Sequence, residues 1–110
     1  MTELFFITYS NQNNDHFKRY LDSCIQNNIN PIILGLNDIN FSFHFKILYF
    51  YQYLLNHTKN DIFCFTDSWD VILLANKNII KQKFLDLKVD ILFSAEENYM
   101  YQGGENIKKT

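Results

Sequence analysis

The chain has 110 residues, enough for one small domain, and 47% of them are hydrophobic and 17% aromatic, enough apolar surface to build a core. Its formal charge of −2 comes from acidic and basic residues mixed along the chain, which excludes the basic stripe of a nucleic-acid binder and gives no charged tail. No stretch approaches the roughly eighteen apolar residues of a membrane helix, and the opening MTELFFITYSNQNNDHF lacks the basic start and long apolar run of a secretory signal, so a cytoplasmic location is expected.

In chain order, Leu4 to Tyr9 is an apolar run rich in β-forming residues and reads as a buried strand. Ser10 to Asn14 is a polar loop. Asp15 is placed to cap a helix in which Phe17, Tyr20, Leu21, Cys24 and Ile25 recur at helical spacing. Asn27 to Asn30 breaks that helix, Pro31 starts the next element, and Ile32 to Leu34 is a second strand closed by Gly35. After a loop over 37–43, Ile47, Phe50, Tyr51, Leu54 and Leu55 predict a second helix from Phe45 to Leu55. Asp61 opens a third strand, Ile62 to Phe65. Val71 to Leu74 is apolar but short. Asn76 to Leu87 is helical in pattern, with Ile79, Ile80, Phe84 and Leu87 on one side, and Val89 to Phe93 is predicted as a fourth strand. This alternation is the pattern of βαβ units, so the expected fold is α/β, a mostly parallel sheet flanked by helices. Cys24 and Cys64 lie far apart in apolar contexts and read as buried free thiols.

Open parallel sheets bind ligands at the C-terminal ends of their strands. Three polar clusters fall there: Thr8-Tyr9-Ser10-Asn11, Thr66 to Asp70, and Ser94 to Glu97. Two carboxylates brought close together repel unless a cation joins them, and hard oxygen donors favour Mg²⁺, Mn²⁺ or Ca²⁺. Trp69, between Asp67 and Asp70, offers a flat face on which a base stacks. Carboxylates, cation and aromatic together suit a nucleoside diphosphate. Simpler alternatives stand beside this one: an Asp at a strand end often only caps a turn, and a single Trp is often core. His16, His44 and His57 show no ligand spacing and read as surface or packing residues, and Lys46 has the option of snorkelling off its helix.

FTDSWDVIL, followed some twenty residues on by ILFSAE, resembles the glycosyltransferase domain of the procollagen lysyl hydroxylases and related collagen-type glycosyltransferases. There a strand ends in a DxxD motif within a phrase like F-x-D-S-Y-D-V-I, and the next ends in F-S-A-E. ITYSNQNNDHFKRYLDSCIQNNINPIILGL is similar to the family's first strand, helix and second strand, and Lys46 matches the lysine that opens its second helix. The resemblance spans residues 4 to about 98. It implies a GT-A-type fold and retaining transfer of a hexose from a UDP-sugar, with Mn²⁺ or Mg²⁺ as cofactor, to a protein or glycan acceptor (hydroxylysine or its linked sugar in the family). It implies that Asp67 and Asp70 bind the metal, that Thr8, Tyr9, Asn11, Lys46, Ser68 and Trp69 surround the nucleotide, and that Glu96 lies at the sugar. Trp69 stands where the family has a tyrosine, and Asn11 where it has a threonine. The family domain is more than twice as long, so residues 1–102 are expected to form its donor-binding half, with 103–110 a flexible tail. Two alternatives are a non-catalytic nucleotide-binding or interaction module and a metal-dependent phosphohydrolase. The haloacid-dehalogenase pattern of the latter is DxD, whereas here DxxD precedes Val71.

Overall fold

The computed structural model describes residues 2–57 and 60–94, together with the backbone of 98–100 and 106–108. Its centre is a three-stranded parallel sheet in the order β2-β1-β3, formed by β1 (Leu4–Tyr9), β2 (Ile32–Leu34) and β3 (Ile62–Thr66). Helix α1 (Asp15–Gln26) joins β1 to β2, α2 (Phe43–Leu55) joins β2 to β3, and α3 (Lys77–Leu87) follows β3. Two further short strands, β4 (Asn98–Met100) and β5 (Asn106–Lys108), pair antiparallel. The architecture is the α/β, Rossmann-like arrangement that the strand–helix alternation predicts.

β1 is central because it is apolar along nearly its whole length: Leu4, Phe6 and Ile7 are buried, and so are Thr8 and Tyr9 at its C-terminal end. It pairs with β2 from Ile7↔Ile32 to Tyr9↔Leu34, and with β3 from Leu4↔Ile62 to Thr8↔Thr66. The core lies between this strand and α1, where Leu4 and Phe6 meet Phe17, Tyr20, Cys24 and Ile29. Full burial of a side chain such as Phe17 contributes about 1.5–3 kcal/mol, which makes this face the main source of cohesion. Both cysteines are free, Cys24 buried and Cys64 half-buried, and burial pushes both thiols up.

Several local expectations are corrected. The cap of α1 is Asn14, not Asp15: Asn14 Oδ1 accepts from the Phe17 amide at 2.8 Å, and Asp15 is the first helical residue. Ser42 and Asn76 cap α2 and α3 in the same way. The fourth strand predicted over 89–93 does not form. Ile91, Leu92 and Phe93 are exposed and carry no regular structure, because β-forming residues make a strand only beside a partner edge and, among the described residues, none pairs with them. On α2, Phe50 meets Phe65 of the sheet with ring centroids 4.3 Å apart, while Ile47, Tyr51 and Leu55, which share its helical spacing pattern, are exposed.

Candidate functional site

Because the strands are parallel, the segments that follow Tyr9, Leu34 and Thr66 leave along one edge of the sheet. The first is tied to the second by the Ser10 amide, which donates to Leu34 O at 3.0 Å. The second turns sharply at Gly35, whose φ of 83° lies in the left-handed region. A Cβ there would stand 2.2 Å from Cε2 of Tyr9, so the Tyr9 ring occupies space that only glycine leaves open. Its hydroxyl donates to Asp38 Oδ2 at 2.7 Å, and Tyr49 OH from α2 donates to Oδ1 of the same carboxylate at 3.1 Å. Burial first, then the bond to Asp38, pushes the Tyr9 phenol up to about 12.

The third segment carries DSWD, and α1 grips it at both ends. At its start, Tyr20 OH bonds Thr66 Oγ1 at 2.9 Å. At its end, the Leu73 amide donates to Ser23 Oγ at 2.9 Å, and Asn27 Nδ2 donates to Leu73 O at 2.9 Å. Within it Ser68 is buried, its Oγ 3.4 Å from the Tyr9 carbonyl that it donates to, and Trp69 Nε1 donates to Ser10 Oγ at 3.0 Å.

These segments enclose an open cavity of about 510 Å³, within the range of small-molecule sites. Tyr9, Lys46, Asp67, Ser68, Trp69 and Asp70 line it, so six of the nine residues expected at the site come together. Lys46 reaches in from the first turn of α2 and forms an ion pair with Asp67 Oδ1. Trp69 is 39% exposed, tethered by its nitrogen. Thr8 and Asn11 are not among the lining residues. Thr8 is fully buried with its hydroxyl committed to Thr66 O at 2.7 Å, and Asn11 is nearly buried, its Oδ1 without a hydrogen-bond partner among the described residues. Glu96 lies outside the described residues.

Three further residues line the cavity without having been singled out for it: His16, Phe41 and Phe43. His16 belongs to the first turn of α1, directly after the polar loop of β1, and that position was the available signal. Phe41 and Phe43 pack edge-to-face with centroids 4.9 Å apart, and Tyr9 meets Phe41 at 5.7 Å, giving the cavity an aromatic wall. Asp38 had no sequence signal, since its partners Tyr9 and Tyr49 are distant in the chain.

The donor chemistry suits a hard divalent cation in part. Asp67 and Asp70 offer carboxylate oxygens to one cavity, where Asp67 pairs with the Lys46 ammonium. Among the described residues no cluster of three or more His, Cys, Asp or Glu is arranged to hold a metal ion. A cation here would take its remaining ligands from water and phosphate, as Mg²⁺ commonly does.

The cavity lies at the C-terminal ends of the parallel strands, where open α/β sheets hold their ligands. The chain belongs to the PLOD GT domain family, a glycosyltransferase family whose model matches residues 1–103. No curated protein and no solved structure matches the chain significantly. Among the described residues no helix is long and apolar enough to cross a membrane.

Proposed function

We propose that this glycosyltransferase domain binds a UDP-sugar together with Mn²⁺ or Mg²⁺ and transfers the hexose to a hydroxyl acceptor. The observation that carries this is the convergence of Asp67, Asp70, Lys46 and Trp69 on one cavity, in a chain of the PLOD GT domain family. Asp67 and Asp70 would hold the cation. When bound, the cation neutralises the charge that builds on the UDP leaving group as the sugar–phosphate bond breaks. Trp69, held in orientation by Ser10, stacks on the uracil, a contact of about 1–3 kcal/mol. Lys46 supplies a positive charge to the phosphates. Glu96 is assigned to the sugar hydroxyls on the family resemblance alone. The acceptor in that resemblance is hydroxylysine or its linked sugar.

The deciding experiment is calorimetric titration of UDP into the folded chain with Mn²⁺, then with EDTA. Binding that requires the metal is expected. Absence of binding by a chain folded by circular dichroism would overturn the proposal, and metal-dependent binding without transfer or hydrolysis of UDP-hexoses would assign the chain as a non-catalytic nucleotide-binding module.

A further inference from the structure

Helix α2 is apolar or aromatic at most positions, and Lys46 is its one Lys, Arg, Asp or Glu. That single charge is spent on Asp67, 21 residues further along, in the ion pair at the cavity. The Lys46 side chain is 21% exposed and that of Asp67 56%. Asp70 lines the same cavity, and among the described residues no ion pair engages it. The two candidate metal ligands are therefore inequivalent: one carries an internal cation and the other does not.

An ammonium and a divalent ion cannot share one carboxylate oxygen without strong like-charge repulsion at a few ångströms. A metal on either oxygen of Asp67 stands within a few ångströms of the Lys46 ammonium, so metal binding disfavours the ion pair. The lysine charge sits on a flexible four-carbon stem with three donors, so it can swing while its helix stays in place. The cavity into which it is released is otherwise walled largely by aromatic rings and the other carboxylate, so its natural new partner is an anionic ligand in that cavity.

We propose that Lys46 is a built-in counter-ion of the candidate metal site: it neutralises Asp67 when no metal is bound, is displaced by the incoming divalent cation, and then takes a phosphate of the nucleotide as its partner. This rests on the UDP–metal assignment above and adds a coupling to it. Metal alone binds against a competitor. Metal with nucleotide binds without that handicap, because the displaced charge finds a phosphate. The coupling is reciprocal, so metal raises nucleotide affinity by the same factor.

The test is Mn²⁺ binding to the full chain, followed by the electron paramagnetic resonance signal of free Mn²⁺, with and without UDP. It compares wild type, Lys46→Met and Lys46→Arg. Met keeps much of the apolar stem and removes the charge. Lys46→Met is expected to bind Mn²⁺ alone about twofold to fivefold more tightly than wild type, the scale of a partly exposed ion pair. Its UDP–Mn²⁺ coupling factor is expected to fall about threefold or more, while Lys46→Arg retains both wild-type values. General damage to the fold lowers metal affinity, so a rise is specific to the competition. Lys46→Gln carries the same expectation if circular dichroism shows Lys46→Met to be unfolded. Equal or weaker Mn²⁺ binding in the charge-free variant overturns the counter-ion role and leaves the UDP–metal assignment standing. No Mn²⁺ binding by any folded form, with or without UDP, overturns both.

Discussion

The indole Nε1 of Trp69 donates a 3.0 Å hydrogen bond to Ser10 Oγ, joining the loop after β1 to the DSWD segment across 59 residues of sequence. Ser10 is almost fully buried and donates in turn to Gln12 O at 2.7 Å, so its hydroxyl has a fixed orientation. Trp69 is the only tryptophan in the chain, which makes its fluorescence a direct reporter of this contact. Ser10→Ala is expected to lower stability by about 1–2 kcal/mol. It should also increase acrylamide quenching of Trp69 and weaken UDP binding several-fold. Unchanged quenching would show that the ring is held by packing alone.

Asp70 offers a second test of the carboxylate pair. With Mn²⁺ present, Asp70→Ala should lose at least about tenfold in UDP affinity, because one of the two proposed metal ligands is gone. With EDTA present, wild type and variant should bind UDP equally weakly. Wild-type affinity in the variant with Mn²⁺ would remove Asp70 from the site.

Gly35 and Tyr9 form a close-packed pair, with Tyr9 on the cavity wall. Gly35→Ala places a methyl within 2.2 Å of the Tyr9 ring at a φ of 83°. Overpacking and the left-handed backbone together should cost about 2–4 kcal/mol, read as a drop in the urea midpoint. The displaced ring also leaves Asp38, so the variant should show a tyrosine titrating at lower pH. A fully stable variant would mean that the ring moves aside at little cost.

Alkaline pH should destabilise the protein, with a definite sign. Cys24, Cys64, Tyr9, Tyr20 and Tyr53 are all shifted upward, chiefly by burial. A raised group holds its proton more tightly in the folded state, so its stabilising contribution is complete below its unfolded value and is lost as pH rises through the folded one. For the thiols the loss begins near pH 8.5, the ordinary thiol value. For Tyr9 it runs from about pH 10, the ordinary phenol value, to about 12. Urea midpoints should be flat around neutrality, fall above about pH 8.5 and fall more steeply past about pH 10. A flat profile to pH 11 would contradict the burial of these groups.

The elements of the fold were legible where local pattern decides them. LFFITY and IFCFT are runs of apolar and β-forming residues, and the Phe17–Tyr20–Cys24 stripe selects one face of α1. Pattern failed where a partner decides. Val89 to Phe93 has strand composition and, among the described residues, no strand beside it. Helix α2 is apolar almost all round, so periodicity could not tell that Phe50 points to Phe65 while Ile47 and Tyr51 point away. At the site, DSWD announced itself through two carboxylates at a strand end. Lys46 was legible only through family resemblance, because nothing in its local sequence indicates Asp67 as its partner. Asp38 was invisible, since what distinguishes it is two tyrosine hydroxyls from other segments.

Helix α1 holds the DSWD segment at Thr66 and again at Leu73, so this part of the cavity wall is not a flap with a melting transition of its own. The Leu73 amide should exchange with deuterium in step with the buried turns of α1, not ahead of them. A ligand held by Asp67 and Asp70, as proposed, would restrain the core as a whole, and its affinity should appear undiminished as a rise in the global melting temperature.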